Sequence, residues 1–309
     1  MSTCALGIDI GTERTRVALV ERRRGRALRL LAVAARPTGE DPAAAIRAAR
    51  AELGARERRC VFAVGSRDAL LQLVPFPPMT TAERQRAASF GAMRAASFPL
   101  HDVHVIDGGA PDARALVTAA RRSTLETLRS TARRAGVRIL AVDHAAFALV
   151  RAVEAGRAAI IDLGADGTRL ALPAVPIPVV RTIALGGAAI TAAIASALEI
   201  PRERAEERKR LVGTAGAGET ARRALLEEIA ANLVDLRAVT GDGPGQIVLS
   251  GNGARLPAFA LDLAAATGTA VSCVRLRDDL ETCGPADVMR SAAPDWALAV
   301  GLALWETAA

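Results

Sequence analysis

Two short motifs in separate halves of the chain combine a carboxylate, glycine and a hydroxyl in the way that phosphate sites require. The first is Leu6-Gly-Ile-Asp-Ile-Gly-Thr12 and the second is Ile160-Ile-Asp-Leu-Gly-Ala-Asp-Gly-Thr168. Each is typical of an apolar strand that ends in Asp and passes through a glycine turn into a second strand. Exposed N–H groups in such turns bind anions, and a strand-terminal carboxylate can hold a hydrated Mg²⁺. Two such hairpins facing one another would bind the phosphates of a nucleotide from both sides.

This interpretation gives the residues of both hairpins a role in binding a cofactor. Asp9 and Asp162 would orient waters bound to Mg²⁺. The turn residues would donate backbone or hydroxyl hydrogen bonds to phosphate, and these are Gly11, Thr12, Gly164 and Thr168. The alternative is a pair of ordinary β-turns in which each carboxylate caps its own turn, because Asp-x-Gly is common at strand ends.

The composition limits the classes of function. The chain has 309 residues and 51% hydrophobic content, enough for a core that we expect to divide into two lobes. It contains no Tyr, six Phe and two Trp, too few aromatic rings for a single-strand nucleic-acid platform. The net charge is +7, but the arginines are spread along the chain rather than clustered. We therefore expect no nucleic-acid partner.

Cysteine spacing and hydropathy indicate a cytoplasmic protein. The four cysteines form no C-x-x-C pair, which argues against zinc and disulfide scaffolds and fits a reducing compartment. The first predicted strand begins almost at once, without the basic and apolar regions of a secretory signal. The longest uncharged stretch, Thr182–Leu198, is 17 residues long. This is shorter than the roughly 20 apolar residues that span a bilayer.

Strand and helix signals alternate along the chain, which predicts an α/β fold. Pro42–Leu53 is predicted as a helix with Pro at its first position. Thr80, with Glu83 three residues later, forms a capping box that predicts the start of another. Ser123 is predicted to cap a helix that ends near Ala135.

Further motifs follow the two hairpins in a fixed order. They are Arg181-Thr-Ile-Ala-Leu-Gly-Gly187, Ala205-Glu-Glu-Arg-Lys209 and Ser250-Gly-Asn-Gly-Ala-Arg-Leu-Pro257. Together the five motifs resemble those of the actin-like ATPases, and among these the PilM family of type IV pilus assembly proteins. The resemblance covers essentially the whole chain. Single motifs of this kind are weak, whereas five in the right order are strong.

The resemblance implies further ATP-binding residues. They are Gly186 and Gly187 of the third motif, Glu206 and Lys209 of the fourth, and Gly251, Asn252, Gly253 and Arg255 of the adenosine loop. Lys209 is the one lysine among 40 Lys plus Arg. A compact ammonium is not equivalent to a guanidinium where a nucleoside must fit, which favours a functional role over a solvated charged face.

The resemblance also implies a two-lobed actin-like, or ribonuclease H-like, fold with a small inserted subdomain in the first lobe. Phe76-Pro-Pro-Met-Thr-Thr-Ala-Glu83 and Ala96-Ser-Phe-Pro99 are similar to the insertion that PilM and FtsA-like proteins share. The expected domains are a first lobe at 1–155, a second lobe at 156–292 and a C-terminal helix at 293–309 that returns to the first lobe. Within the first lobe we expect a core at 1–58 and 138–155 and the insertion at about 59–137.

Three positions depart from the family pattern. Arg16, beside the first hairpin, stands where the family often has Lys and would keep the charge. Asn252 replaces a glycine of the adenosine loop. Family members tend to place a carboxylate shortly after the Val-Asp dipeptide, but here Asp143 is followed by His144 and alanines. Asp143 and His144 are the remaining candidates for orienting the attacking water, so we expect slow or absent ATP hydrolysis.

The function implied is a cytoplasmic ATP·Mg²⁺-binding scaffold for the inner-membrane assembly of a type IV pilus, a competence pilus or a secretion machine. PilM-type proteins capture the N-terminal segment of the membrane protein PilN in a groove between the first lobe's core and its insertion. Association with the membrane would run through such partners. Pilus motor ATPases and a second copy of the chain are further candidate partners. The alternatives are an FtsA-like filament-forming protein and a sugar or acetate kinase of the same superfamily. A nucleotide-free pseudo-actin adaptor is a further alternative, because of Asn252 and Ala145.

Overall fold

The computed structural model describes residues 2–23, 28–101, 103–107, 114–153, 156, 158–173, 178–240, 244–282 and 293–305. The strands are β1 (Ser2–Ile10), β2 (Arg14–Arg23), β3 (Leu28–Pro37), β4 (Arg59–Val64), β5 (Ala69–Pro75), β6 (His104–Asp107), β7 (Arg114–Ala120), β8 (Arg138–His144), β9 (Ala159–Leu163), β10 (Thr168–Leu172), β11 (Val179–Ile183), β12 (Gln246–Ser250), β13 (Ala270–Cys273) and β14 (Leu280–Thr282). The α-helices are α1 (Pro42–Glu52), α2 (Thr81–Ala95), α3 (Arg122–Ala135), α4 (Ala145–Ala152), α5 (Gly187–Leu198), α6 (Arg202–Val212), α7 (Glu219–Thr240), α8 (Phe259–Thr267) and α9 (Ala293–Ala303). A short 3₁₀ helix covers Asn252–Arg255.

The first lobe is built on a six-stranded sheet in the order β14-β3-β2-β1-β4-β8. Strands β1, β2 and β3 form an antiparallel meander, whereas β4 is parallel to β1 and β8 is parallel to β4. Helix α1 begins as predicted, with the Asp41 carboxylate accepting from the Ala43 N–H at 3.0 Å. Its Ile46 joins Leu128 and Ala132 of α3 in one buried cluster with the strands. Both helices therefore pack as part of the main lobe.

The second lobe repeats this strand pattern in a five-stranded sheet, β11-β10-β9-β12-β13. Strands β9, β10 and β11 are antiparallel neighbours, and β12 lies parallel to β9 on the other side. Ile190 of α5, Ile229 of α7 and Phe259 of α8 are fully buried in one cluster beneath the sheet. The two hairpins of the sequence motifs, β1–β2 and β9–β10, thus occupy equivalent positions in the two lobes.

A separate three-stranded sheet, β5-β7-β6, carries α2 on one face. The capping box is formed as predicted: Thr80 accepts from the Glu83 N–H, and Glu83 accepts from the Thr80 N–H at 2.9 Å. This small subdomain is shorter than the insertion predicted at about 59–137. Its lower limit was placed too early because β4 lies in the main sheet, and its upper limit too late because α3 packs in the main core. Helix α3 also begins at Arg122 after an Arg121 N-cap, so the prediction that Ser123 caps it is wrong.

Helix α9 returns to the first lobe and closes its core. Backbone meets backbone on both of its sides, because a Cβ on Gly7 would overlap the Ala299 carbonyl and a Cβ on Gly301 would overlap the Ala148 carbonyl. Arg151 of α4 donates to the Gly301 carbonyl oxygen at 2.7 Å. The last residues of the predicted 293–309 segment, 306–309, lie outside the described residues. Within the described part of the chain, no helix is both long enough and apolar enough to cross a bilayer.

Candidate functional site

The two hairpins have the same local geometry. The N–H of Gly11 donates to the Arg14 carbonyl at 3.1 Å, and the N–H of Gly164 donates to the Gly167 carbonyl at 3.0 Å. A Cβ at Gly11 would lie 2.9 Å from the Arg14 carbonyl oxygen, and one at Gly164 would lie 2.8 Å from that of Gly167. These turns are closed so tightly that only glycine fits at the two positions.

The structure brings the hairpins together around one cleft of about 1000 Å³ between the lobes. The predicted site residues that line it are Asp9, Gly11, Thr12, Arg16, Asp162, Gly164, Gly187, Glu206, Lys209, Gly251, Asn252, Gly253 and Arg255. The facing arrangement of two glycine turns from separate lobes is therefore present. Such a concave site with a few convergent polar groups has the size of a small-molecule pocket.

Two predicted residues, Thr168 and Gly186, lie behind the lining. The Thr168 hydroxyl donates to the Leu185 carbonyl at 2.8 Å. A Cβ at Gly186 would lie 2.6 Å from the Gly164 carbonyl oxygen, so this glycine lets the third motif reach the second hairpin. Gly187, the next residue, donates its N–H to that same carbonyl at 2.9 Å. Both predicted residues thus hold the second hairpin in place at the N-terminus of α5.

Each cleft carboxylate is paired with the arginine opposite it in the hairpin. Asp9 faces Arg16 with 3.4 Å between Oδ2 and Nη1, and Asp162 faces Arg169 with 2.5 Å between Oδ2 and Nη1. Burial raises the pKa of Asp9, with Asp162 adding to the rise, although Arg16 and Arg169 act against it. Burial opposes the charge on Arg169, but Asp162 and Asp9 outweigh it and raise its pKa. Arg169 therefore interacts with the carboxylates of both lobes.

One wall of the cleft is a polar cluster on α5 and α6. Lys209 Nζ lies 2.6 Å from Glu206 Oε2, and donates to Thr191 Oγ1 at 2.7 Å and to the Gly187 carbonyl at 3.0 Å. Burial opposes ionisation of Glu206, but hydrogen bonds from Lys209 and Thr191 lower its pKa overall. The ammonium thus ties α6 to the N-terminus of α5 and keeps the Glu206 carboxylate charged.

The adenosine-like loop forms another part of the lining. Gly251 has φ +79°, and a Cβ there would lie 2.5 Å from the Leu163 carbonyl oxygen. Among the described non-glycine residues, positive φ occurs at Glu199 and Ala258, so Asn252 does not adopt a positive φ. Arg255 at the end of the loop pairs with Asp295 of α9, with 3.1 Å between Nε and Oδ1.

Side chains join the lobes across the cleft. The Thr12 hydroxyl donates to the Asp166 carboxylate, and Arg16 Nη2 donates to Asn252 Oδ1 at 2.7 Å. Arg202 pairs with Glu13 at 2.8 Å. These contacts hold the turns of one lobe against the loops of the other.

Asp143 and His144 do not line the cleft. Asp143 accepts from Arg151 at 2.9 Å and from the His144 N–H at 2.8 Å. His144 caps α4, with Nδ1 accepting from the Ala146 N–H at 3.2 Å, while Nε2 lies 3.2 Å from Ser66 Oγ. Because Nδ1 accepts, the neutral ring carries its proton on Nε2 and has no free lone pair for a base. Both predicted catalytic side chains therefore have structural partners.

Five arginines of the cleft lining were missed from the sequence, namely Arg14, Arg67, Arg169, Arg202 and Arg210. Arg169 faces Asp162, and a signal for it exists, since the seven-residue spacing from Asp9 to Arg16 is repeated from Asp162 to Arg169. Arg14 also lines the cleft, and its buried Nε has no hydrogen-bond partner in the described structure. No local pattern distinguishes Arg14 from the many other arginines.

A family model described as "Type IV pilus assembly protein PilM" matches residues 7–307. The chain belongs to the PilM family. It resembles a solved "PilM-PilN type IV pilus biogenesis complex" chain with a TM-score of 0.84 and 26% identity, covering 97% of this chain and 98% of that one. No sequence in a search of curated proteins matches significantly.

More distant structures confirm the predicted actin-like fold. The ethanolamine utilization protein EutJ from Carboxydothermus hydrogenoformans has a TM-score of 0.57 at 15% identity, covering 98% of this chain and 89% of that one. MreB 5 of Spiroplasma citri, solved with AMPPNP, has a TM-score of 0.50 at 12% identity, covering 99% of this chain and 96% of that one. At these identities the likeness concerns the fold.

The donor set of the PilM-family cleft favours an anion over a metal ion. Glycine turns leave room for a ligand, Arg14 has a buried donor without a partner, and Arg16 and Arg169 add charge. Each of the carboxylates predicted to orient Mg²⁺-bound waters, Asp9 and Asp162, is paired through its Oδ2 with an arginine, so its charge is already balanced. Among the described residues, no group of three or more Asp, Glu, His or Cys side chains could hold a metal.

Proposed function

We propose that this PilM-family chain is a cytoplasmic scaffold of type IV pilus or related secretion-machine assembly that binds ATP between its lobes. Its second ligand is the N-terminal segment of a PilN-like membrane protein, through which it associates with the inner membrane. The observation that carries the nucleotide part is the meeting of two glycine hairpins, one from each lobe, at a single cleft.

The cleft has separate surfaces for the two ends of a nucleotide. Triphosphate chemistry matches the hairpin end, where Arg14, Arg16 and Arg169 offer guanidinium donors, which bind phosphate with two parallel hydrogen bonds. The ribose and base would bind at the wall formed by α5 and α6, where Glu206 offers a fixed hydrogen-bond acceptor and Lys209 a fixed donor. Gly251 and Gly253 have no side chains, so the loop on either side of Asn252 can lie close to a flat purine.

The small subdomain offers a surface for an extended peptide. Strand β5 is an edge strand, paired only with β7 in the described part of the chain. Leu70 and Val74 pack toward α2, so the alternation of the strand puts Leu71 and Leu73 on the other face, where both are half-buried. The backbone of an edge strand can form hydrogen bonds with a strand added by a partner. The apolar strip formed by Leu71 and Leu73 would then select the side chains of the partner's strand. The likeness to a PilM–PilN complex supports this partner.

The test is the binding of a labelled peptide that carries the cytoplasmic N-terminal residues of the PilN-like protein encoded with this chain. Fluorescence anisotropy should show saturable binding, and Leu73→Glu should weaken it at least about tenfold by placing a charge in the apolar strip. Phe90→Glu is the matched control, since Phe90 is 60% exposed on α2 of the same subdomain. Equal loss in both variants, or none in either, would contradict the assignment to β5.

Nucleotide occupancy should influence the partner through the contacts between the lobes. A triphosphate near Thr12 and Arg16 must displace their bonds to Asp166 and Asn252, which changes what holds the lobes together. A ligand shifts such an equilibrium only by its differential affinity for the two states. The same anisotropy titration with and without ATP measures this coupling, and equal peptide affinities would discard it.

We also propose that ATP turns over slowly or not at all. In-line phosphoryl transfer needs a positioned water. Asp143 and His144 do not line the cleft, and their side chains are held by Arg151, Ser66 and the backbone. Release of phosphate measured over hours, against a catalytically active actin-like ATPase, tests this point.

A further inference from the structure

The cleft contains the same pair twice, once in each lobe. Asp9 on β1 lies directly opposite Arg16 on β2, and Asp162 on β9 lies directly opposite Arg169 on β10. The distance from Nη1 to Oδ2 is 3.4 Å in the first pair and 2.5 Å in the second, and all four side chains line the cleft. Two carboxylates and two guanidinium groups sum to no net charge, so the carboxylates create no excess of negative charge that a cation would neutralise.

Arg169 already supplies positive charge to the two carboxylates that a shared cation would bridge. Its Nη1 binds Asp162, and its charge interacts with that of Asp9 from the other lobe. A divalent ion at this place would lie beside Arg169 and Arg16, and the repulsion between like charges at such distances is large in a partly buried site. Entry of the ion would therefore require Arg169 to leave Asp162.

Arg169 also keeps donors for a phosphate. A guanidinium group has five N–H donors in a fixed planar fork. Within the described part of the chain, the Asp162 carboxylate is the hydrogen-bond partner of Arg169, and Nη1 is the nitrogen that it uses. Arg169 itself lines the cleft. A phosphate can therefore bind Arg169 while Asp162 continues to hold it in place.

We infer that Arg169, together with Arg16, serves as the phosphate-binding cation of this site, so that the chain binds a nucleoside triphosphate without a divalent metal. This inference rests on the proposed binding of ATP in the cleft and assigns the ligand of its phosphates. Asp9 and Asp162 then act as positioning residues that orient the two guanidinium groups toward the ligand.

Isothermal titration of the full chain with ATP, in excess EDTA and in excess MgCl₂, tests the inference. The wild-type dissociation constants in the two buffers should agree within about threefold. Arg169→Gln should weaken binding in EDTA at least about tenfold, the loss expected for a hydrogen bond to a charged group. The same variant should recover part of its affinity in MgCl₂, because Asp162 loses its arginine partner and can then hold a hydrated ion.

Two further variants separate phosphate binding from folding. Arg169→Lys keeps the charge and should retain more affinity in EDTA than Arg169→Gln, although it lacks the planar fork. Arg181→Gln is the matched control, since Arg181 lies on β11 of the same sheet, opposite Leu170, and does not line the cleft. Melting temperatures of all the proteins check that each remains folded.

The outcomes separate the two proposals. Wild-type binding that requires MgCl₂, or an Arg169→Gln variant that binds like wild type in EDTA, overturns the role of Arg169 while ATP binding itself stands. Absence of ATP binding in both buffers overturns the proposed nucleotide site and this inference with it.

Discussion

The Thr12 hydroxyl donates a hydrogen bond across the cleft to the Asp166 carboxylate, so the turn of one hairpin is fastened to the turn of the other. Asp166 thereby places a negative charge where the phosphates of a ligand would lie. We expect Asp166→Asn to bind ATP more tightly than wild type, by about three- to tenfold, because it removes this repulsion and weakens a competing bond. Titration calorimetry at constant ionic strength measures the change.

The control for Asp166→Asn is Glu40→Gln, which makes the same change in net charge at an exposed residue that does not line the cleft. Its affinity for ATP should equal that of wild type. Weaker ATP binding in Asp166→Asn would mean that the carboxylate helps the ligand, and that the cross-cleft bond does not compete with it.

Lys209 holds together three partners from two helices, and its side chain is only 12% exposed. Lys209→Met should lower the free energy of unfolding by about 1–3 kcal/mol, because Glu206 and the Gly187 carbonyl lose a charged donor. Lys209→Arg should restore little of this loss, since a planar guanidinium cannot occupy the place of a compact ammonium among these partners. Urea denaturation of both variants provides the measurement.

Arg204→Met is the comparison for Lys209, since Arg204 lies on the same helix with a side chain 75% exposed and a 3.6 Å contact to Glu207. Exposed pairs of this kind contribute less than about 1 kcal/mol. If Arg204→Met were as destabilising as Lys209→Met, the loss would reflect the helix and not the cluster around the ammonium.

His144 should make the stability of the chain depend on pH. Burial, aided by the charge of Arg169, lowers its pKa from 6.5 to about 4. Between these values the unfolded chain binds a proton that the folded chain does not, so stability is lost as the pH falls through this window. The loss should approach about 3 kcal/mol, and His144 should contribute no pH dependence above its unfolded pKa.

The variant His144→Asn tests this titration, because Asn does not ionise and can still accept the Ala146 N–H as an N-cap. Urea denaturation at neutral pH and near pH 4.5 should show a shallower pH dependence for the variant than for wild type. The control His104→Asn changes an exposed histidine of the small subdomain. Identical slopes in wild type and His144→Asn would show that other groups cause the acid sensitivity.

Local signals in the sequence predicted what local contacts determine. The Asp-x-Gly turns and the Thr80–Glu83 capping box are set by neighbouring residues, and the structure contains them. The pairing of Arg169 with Asp162 depends on hairpin register, which the repeated spacing of seven residues could have indicated.

Contacts between distant segments were not predictable in the same way. Nothing near Leu128 shows that α3 packs on α1 and not on the small sheet, and the predicted limits of the insertion were too wide for that reason. Asp143 likewise looked available for chemistry because its partner Arg151 lies two turns along the next helix. Such pairings depend on how elements pack, which a single sequence does not specify.

The return of α9 depends on two glycines that let backbones touch. Gly7→Ala would drive a methyl group into the Ala299 carbonyl, and Gly301→Ala would drive one into the Ala148 carbonyl. Neither obstacle is a flexible side chain, so α9 must shift away from β1 or α4. We expect each variant to lose more than about 3 kcal/mol of unfolding free energy, measured by urea denaturation.

Gly91→Ala provides the matched test, because a Cβ at Gly91 in the middle of α2 would meet nothing within 4 Å. Ala is the better helix former, so this variant should be unchanged or more stable by up to about 1 kcal/mol. Both glycines lie within helices. If Gly91→Ala raises the free energy of unfolding and Gly301→Ala lowers it, backbone contact and not helix propensity decides the result. If Gly301→Ala were as stable as wild type, α9 could not be packed against α4 at the distance described, and the cleft wall formed by Asp295 would be misplaced with it.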